Sequence, residues 1–306
     1  MNFLRNKKNG KKPWMMNFRP WKRIIHGLLQ PYSRARLQLA ASESIKYKVD
    51  GTLDKYKARL VANEYTQLKG LNYTDTFSHV AKMTLDFYYL WLVHNWRIKQ
   101  LDVKNSLLHG DLKEEVYMKI LLSLNHNKEN QVFHLHKSLY GLKQASRQWN
   151  AKLSDFLLLH KYKQATGDHS LFLNFSGSKV TTLLVYIDDV ALTINDISEI
   201  NNIISLLDQT FKIENIGDLR YFTGFEVART NKGLHLCQRK YTLDLLNETW
   251  MIGCAPIYTP INFSKHACCN SRDLLNNLSS YKRFIGKLIY LTNNGLDITQ
   301  VVCHLS

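Results

Sequence analysis

The 306-residue chain lacks several features that would assign it to well-known protein classes. No run of residues is long and apolar enough to span a bilayer. The first residues lack the apolar stretch and cleavage site of a secretory signal. The five cysteines are odd in number and form no CxxC pair, which is typical of a reducing compartment rather than of a disulfide framework. A group of His and Cys residues near the C-terminus could be considered as a zinc site, but its spacing matches no zinc pattern. We expect these residues to be packed or to lie on the surface in the ordinary way: His266, Cys268, Cys269, Cys303 and His304.

Acidic residues are also scarce. The chain has 41 Lys and Arg residues against 25 Asp and Glu residues, a formal charge of +16, and residues 1–40 contain no acidic residue. Such a charge indicates a polyanionic partner, most often nucleic acid, although solubility alone would also explain it. We expect residues 1–44 to form a poorly ordered basic arm that either binds phosphates or is a solvated tail.

The hydrophobic pattern predicts a globular protein that mixes strands and helices. Hydrophobic residues make up 45% of the chain, enough for a large core. The pattern favours an α+β fold with an antiparallel sheet, followed by a mainly helical C-terminal part. Hairpins are predicted over residues 45–62, 180–192 and 221–237, and a further strand over 96–103. Helices are predicted over 80–93, from 146, from 197, from 241 and from 281.

An acidic pair at a predicted hairpin bend is the main candidate for chemistry. Asp188 and Asp189 separate two apolar runs, LLVYI and VAL. Presenting two anions at the junction of buried strands is unfavourable unless a cation offsets it, and carboxylate oxygens suit magnesium. A plain Asp-Asp turn without chemistry is the alternative. Asp102 ends another predicted strand, so that a metal site shared with the pair is conceivable.

A pair of cations occupies one face of a predicted strand near the N-terminus. Alternation along residues 56–61 places Lys57 and Arg59 on the face opposite Ala58 and Leu60. Two cations on one strand face can bind phosphate, whereas a solvated edge-strand face would look the same.

Many short motifs occur together in one order. From about residue 45 to the C-terminus the chain resembles the reverse transcriptases of copia-type long-terminal-repeat retrotransposons. The resemblance rests on YKARLVA (56–62), YTQ (65–67), VAKMT (80–84), QLDVKN (100–105), LHGDL (108–112), EEVYM (114–118), KSLYGLKQA (137–145), RQW (147–149), VYIDD (185–189), GDLRYF (217–222) and QRKY (238–241).

The resemblance implies a right-hand polymerase fold with fingers, an antiparallel-sheet palm and a mainly helical thumb. Residues 45–230 would form fingers and palm, and residues 231–306 a thumb- or connection-like part truncated before any ribonuclease H domain. The implied activity is RNA-directed DNA synthesis, the transfer of dNTPs to a primer 3′ hydroxyl on an RNA or DNA template. The resemblance also implies other Pol segments as partners, and it does not imply an association with a membrane.

The resemblance also implies roles for particular residues. Asp102, Asp188 and Asp189 would hold two Mg²⁺ ions, with Mn²⁺ as a substitute, the Val103 carbonyl as a further ligand and Asp188 the more direct of the hairpin pair. Lys57 and Arg59 would bind the triphosphate, and Gln144 the nucleotide or template. The primer grip would comprise Tyr221, Phe222 and Gly224.

Several positions depart from the family pattern. Leu107 stands where the family has an aromatic residue that blocks the sugar 2′ position, which predicts weaker discrimination against ribonucleotides. Residues 120–124 replace a Pro-Pro-Gly-Phe turn, and His79 and Ser146 replace prolines. These departures support a second hypothesis, a catalytically inactive nucleic-acid-binding remnant of a degraded retrotransposon, because a fold can persist after its activity is lost.

Overall fold

The computed structural model describes residues 29–31, 38–39, 41–47, 53–79, 96–119, 131–230, 233–257 and 277–306. Several features of the sequence analysis lie outside these residues: the first part of the basic arm, the bend of the predicted hairpin near the N-terminus, the predicted helix over 80–93, the altered turn at 120–124, and His266, Cys268 and Cys269. The described residues divide into two compact units, Met1–Gly217 and Asp218–Ser306. No helix in the described ranges is both long and apolar enough to cross a bilayer.

Fifteen strands and five α-helices occur in the described residues. The strands before the first helix are β1 Leu29–Pro31, β2 Gln38–Leu39, β3 Ala41–Tyr47, β4 Leu53–Ala62, β5 Arg97–Val103, β6 Asp111–Lys119 and β7 Gln131–Lys137. The later strands are β8 Lys163–Gln164, β9 Leu171–Ser176, β10 Lys179–Tyr186, β11 Asp189–Ile194, β12 Ile213–Asp218, β13 Tyr221–Phe222, β14 Phe225–Thr230 and β15 Gly233–Cys237. The helices are α1 Ala145–Leu159, α2 Ile197–Phe211, α3 Arg239–Glu248, α4 Leu278–Leu291 and α5 Thr299–Leu305.

A six-stranded sheet of order β12-β5-β11-β10-β9-β8 forms the centre of the first unit. Strand β11 lies antiparallel to both β5 and β10. The side chains at 183–185 and 190–192 are all buried, as expected where both faces of a strand are covered. Helices α1 and α2 contribute apolar stripes to the same core, in which Trp149, Phe172 and Phe211 are almost fully buried. This core supports the strands that carry the candidate carboxylates.

A second sheet, of order β1-β7-β6-β2, and the β3–β4 hairpin belong to the same unit. A separate core cluster includes Leu60 of β4, Met118 of β6, Leu135 of β7 and Leu142. The predicted hairpin over 45–62 is confirmed as β3 pairing with β4.

The predicted poorly ordered arm differs from the structure in its described segments. Strand β1 pairs antiparallel with β7, β2 pairs parallel with β6, and β3 starts at Ala41. The physical reason is that strands β6 and β7 present edges whose N–H and C=O groups are available for pairing, whatever charge the added strand carries. Charge composition alone does not reveal such edges.

The second unit combines the three-stranded sheet β13-β14-β15 with helices α3, α4 and α5. The region predicted as one strand over 221–228 is two strands separated by Thr223 and Gly224, with φ values of 47° and 81°. Positive φ at both loop residues is the geometry that two-residue hairpins favour. The boundary expected at residue 230 falls in the hairpin of β14 and β15, whereas the compact units divide after Gly217.

Candidate active site

The β10–β11 hairpin brings Asp188 and Asp189 to the position predicted for them. Strand β10 ends at Tyr186 and β11 begins at Asp189, so Ile187 and Asp188 form a two-residue loop. Asp189 is the cross-strand partner of Asp102 on β5. The expected hairpin with an acidic bend is thus confirmed, and the tertiary structure brings the third aspartate directly opposite the second.

Hydrogen bonds fix the loop relative to β5. The Val103 backbone N–H donates to the Asp188 carbonyl oxygen at 2.8 Å. Gln100, on the same face of β5 as Asp102, donates from Nε2 to Asp189 Oδ1 at 3.2 Å. Gln100 was not singled out from sequence, although its spacing of two residues from Asp102 placed it on the same strand face.

The environment of Asp189 opposes its ionisation. Burial raises the pKa of the Asp189 carboxyl group above its usual value, the hydrogen bond from Gln100 acts in the opposite direction, and the negative charges of Asp188 and Asp102 raise the pKa further. Because the folded state holds this proton more tightly than the unfolded state, stability falls as the pH rises from the ordinary carboxyl pKa through the raised one. A bound cation would offset the unfavourable free energy of the ionised Asp189 carboxylate in the folded state.

Asp189→Asn is therefore expected to stabilise the metal-free protein. The amide keeps an acceptor for Gln100 and removes one charge from the group. With chelator at pH 7, we expect a rise in Tm of roughly 1–3 °C. Asp155→Asn, at an exposed position on α1, is the matched control and should leave Tm unchanged. A lower Tm for Asp189→Asn would contradict this account of the site.

The donor set fits magnesium, although no finished metal cage is present. Among the described residues, no group of three or more His, Cys, Asp or Glu residues is arranged to hold a metal ion. Magnesium seldom uses such a cage, because it keeps waters and substrate phosphates as ligands beside one or two carboxylates. Asp102 and Asp189 on facing strands supply oxygen donors of this kind, with Asp188 adjacent. Metal binding by these residues stays a prediction.

Leu107 lies just after the strand that carries Asp102. It belongs to a 3₁₀ helix, Ser106–His109, and Asn105 before it has a left-handed φ of 56°, a conformation that Asn tolerates. The Leu107 side chain is partly buried and packs against both core clusters. Its role at the sugar stays a prediction, and its position gives any substitution a packing effect as well.

Gln144 is buried rather than open to solvent. Its side-chain oxygen accepts from Gln67 Nε2 at 2.9 Å, and its Nε2 donates to the Asn72 carbonyl at 2.9 Å. Gln67 in turn accepts from the Lys143 backbone N–H at 2.8 Å. The exposed fraction of Gln144 is 0%. A contact between its side chain and a nucleotide, which stays a prediction, would require this network to open.

The remaining predicted site residues lie in two different parts of the chain. Lys57 and Arg59 are on β4, but their side chains lie outside what the structure describes. In the second unit, Tyr221 is 51% exposed with Lys240 Nζ 5.8 Å from its ring centroid, while Phe222 is buried. Gly224 lies in the turn, where the Tyr290 hydroxyl donates to the Thr223 carbonyl. Tyr221 is thus the predicted primer-grip residue with the most accessible side chain.

Known proteins resemble this chain over most of its length. The family described as "Reverse transcriptase (RNA-dependent DNA polymerase)" matches residues 43–263. The "Retrovirus-related Pol polyprotein from transposon RE1" of Arabidopsis thaliana is 40% identical over 264 residues, 85% of this chain and 18% of that protein. The corresponding polyprotein from transposon TNT 1-94 of Nicotiana tabacum is 34% identical over 80% of this chain and 20% of its own length.

The chain thus spans about a fifth of the length of these relatives. A solved foamy viral protease-reverse transcriptase in complex with double-stranded DNA covers 90% of this chain and 39% of its own, at 13% identity and a TM-score of 0.41, which is too low to establish a shared fold. The match over residues 43–263 rests on sequence instead. This chain belongs to the reverse transcriptase (RNA-dependent DNA polymerase) family, and its relatives are Pol polyproteins of copia-type retrotransposons.

Proposed function

We propose that this chain is an RNA-directed DNA polymerase that adds deoxynucleotides to a primer 3′ hydroxyl. The observation that carries the proposal is the cross-strand pairing of Asp102 with Asp189, with Asp188 in the adjoining loop. Carboxylate oxygens placed together in this way suit a divalent cation better than they suit a purely structural turn, because burial and the neighbouring negative charges make an ionised Asp189 unfavourable without one.

The proposed roles follow from the chemistry of each side chain. Two magnesium ions, when bound, would activate the primer hydroxyl and offset charge on the triphosphate and the leaving pyrophosphate. Asp102 and the hairpin pair would hold them, with the Val103 carbonyl as a further oxygen donor. Lys57 and Arg59 would attract the triphosphate by charge. Tyr221 and Gly224 would contact the primer, whereas Phe222 is buried and would reach it only if the side chain moved.

The excess positive charge predicts salt-sensitive binding to a template-primer duplex. If Lys and Arg side chains displace condensed counterions, the logarithm of the binding constant should fall with the logarithm of salt concentration, with a slope of magnitude at least about 3. Fluorescence anisotropy with a labelled RNA–DNA duplex between low and physiological salt measures this slope. A flat response would remove nucleic acid as the explanation for the net charge of +16.

Leu107→Phe is expected to sharpen discrimination against ribonucleotides by about tenfold, since a larger side chain leaves less room for a 2′ hydroxyl. The measurement is the ratio of dNTP to rNTP incorporation in single-turnover extension. Leu108→Phe is the matched control, because Leu108 packs only against the second core cluster. An unchanged ratio in Leu107→Phe would show that Leu107 is not the sugar gate.

The alternative function is a nucleic-acid-binding remnant without catalysis. Two observations favour it: Leu107 replaces the expected aromatic residue, and the Gln144 side chain is buried in a protein network. In that case the duplex would still bind with the salt dependence described above, but nucleotides would not be incorporated.

Primer extension on an RNA template with dNTPs and Mg²⁺ tests the proposal. The chain is compared with Asp188→Asn and with the exposed control Asp155→Asn. Extension by the wild type and by Asp155→Asn, but not by Asp188→Asn, would support the proposal. Extension by all three would contradict the assigned role of Asp188. If all three proteins bind the duplex in a salt-sensitive way but none extends the primer, the result would support the alternative function, a nucleic-acid-binding remnant without catalysis.

A further inference from the structure

A tryptophan from α1 contacts the two-residue loop that carries Asp188 and leads into Asp189. Trp149 Nε1 donates a hydrogen bond of 2.6 Å to the Ile187 carbonyl oxygen. The two residues are 38 positions apart and belong to different elements. The exposed fraction of Trp149 is only 1%, so this hydrogen bond lies at the edge of a packed core. Neither the predicted catalytic roles nor the predicted binding roles include Trp149.

The loop has a conformation that needs support from outside. Ile187 has φ of 52°, in the left-handed region, where a β-branched residue is strongly disfavoured. Such conformations persist when surrounding contacts hold them, and they occur often at functional sites. The carbonyls of both loop residues are held by other elements, Ile187 by the Trp149 indole and Asp188 by the Val103 N–H. The loop is therefore attached to the helix on one side and to the Asp102 strand on the other.

The Trp149 ring itself is held in place. The Phe211 ring meets it edge-on with centroids 5.2 Å apart, and the His109 ring lies 5.7 Å away. Gly110 allows α1 to approach closely, because a Cβ there would lie 2.8 Å from the Trp149 backbone nitrogen. Two aromatic rings pack against the indole, and the helix backbone lies directly against Gly110. The direction of the indole N–H toward the loop is therefore fixed by packing.

We propose that Trp149 is a positioning residue for the loop formed by Ile187 and Asp188. Its indole N–H holds the Ile187 carbonyl so that Asp188 and Asp189 keep their positions near Asp102. This inference rests on the proposed polymerase function for its consequence in catalysis, whereas the positioning itself is a property of the fold. Small displacements of catalytic groups reduce rates steeply, since a shift of about 1 Å can lower a rate about 10²-fold.

Trp149→Phe removes the N–H donor and keeps an aromatic ring in the core. We expect kcat for primer extension to fall by about 10- to 100-fold, with KM for dNTP and the duplex Kd changed by less than about threefold. Phe156→Leu is the matched control. Phe156 lies on the same helix and packs edge-on against Phe211 at 4.9 Å, so its loss perturbs the same core. We expect it to lower Tm and to leave kcat near the wild-type value.

Hydrogen exchange gives a readout that does not depend on activity. In Trp149→Phe, amide exchange in a peptide covering residues 183–192 should become faster than in the wild type, and in Phe156→Leu it should not. Wild-type kcat, or wild-type exchange in this peptide, would overturn the proposal. If the wild type itself does not extend primers, the polymerase proposal fails and the exchange comparison still decides the positioning.

A measurement on the unaltered chain covers the case in which Trp149→Phe does not fold. The chain has six tryptophans, and their indole N–H signals can be followed after ¹⁵N labelling. The Trp149 signal, assigned through its contacts with the Phe211 and His109 rings, should exchange with water far more slowly than that of Trp250, which is 92% exposed. Exchange of the two at similar rates would overturn the hydrogen bond and with it the proposal.

Discussion

Asp102→Asn should lower the single-turnover rate of primer extension on the order of 10³-fold or more, because an interaction worth several kcal/mol in the transition state would be lost. The substitution keeps the size of the side chain and the cross-strand register with Asp189. It removes one of the charges that we propose to hold magnesium. We therefore expect the variant to lose the chemical step and to retain its affinity for the duplex.

Two measurements separate this result from misfolding. Duplex Kd should stay within about threefold of the wild type, since most duplex affinity comes from phosphate contacts elsewhere. Added Mg²⁺ should raise the Tm of the wild type and of Asp155→Asn but not that of Asp102→Asn, because a ligand that binds only the folded state stabilises it. Equal Mg²⁺-dependent shifts in all three proteins would argue against Asp102 as a ligand.

Gly141→Ala is expected to destabilise the first unit by about 4 kcal/mol or more. Gly141 has φ of 81°, and a Cβ there would overlap the Ala62 carbonyl oxygen and lie 2.8 Å from Val61 Cγ1. The Ala62 N–H donates to the Tyr140 carbonyl at 2.7 Å. The backbone of residues 140–141 therefore lies directly against the end of β4, with no space for a methyl group. Urea unfolding measures the loss.

Gly70→Ala is the control that separates the two causes. Gly70 has a similar φ of 83°, but a Cβ there would meet nothing within 4 Å. Gly70→Ala should therefore lower the free energy of unfolding only by the cost of placing an alanine in the left-handed conformation, about 1–2 kcal/mol, because its methyl group overlaps nothing. A loss at Gly141 that is no larger than the loss at Gly70 would show that the backbone contact with Ala62 yields easily.

Local patterns predicted most elements of the first unit. The period of 3.6 identified α1 and α2, and the period of two identified β5, because the faces of these elements meet different environments. Strands β10 and β11 were identified instead as continuous apolar runs, because both of their faces are covered. The acidic bend was predictable because a two-residue loop between β-branched runs is a local feature. The C-terminal α4 was also predicted, whereas the short α5 was not.

The misses have a common physical origin. The strands at Leu29–Pro31 and Gln38–Leu39 exist because β7 and β6 offer edges to pair with, and those edges are distant in sequence. The break between Tyr221–Phe222 and Phe225–Thr230 depends on positive φ at Thr223, a residue that seldom adopts it. Sequence patterns do not record such pairings or conformations, because both are decided by contacts outside the segment.

The sequence by itself determined the family, the order of the elements around the acidic pair and the excess of positive charge, because motifs, periodicity and composition are local properties of the chain. Only the tertiary structure decided that Asp102 faces Asp189, that the Gln144 amide is buried and that the Trp149 indole holds the Ile187 carbonyl. Each of these contacts joins residues dozens of positions apart, and burial and register at such separations arise only when the sheets and helices pack together.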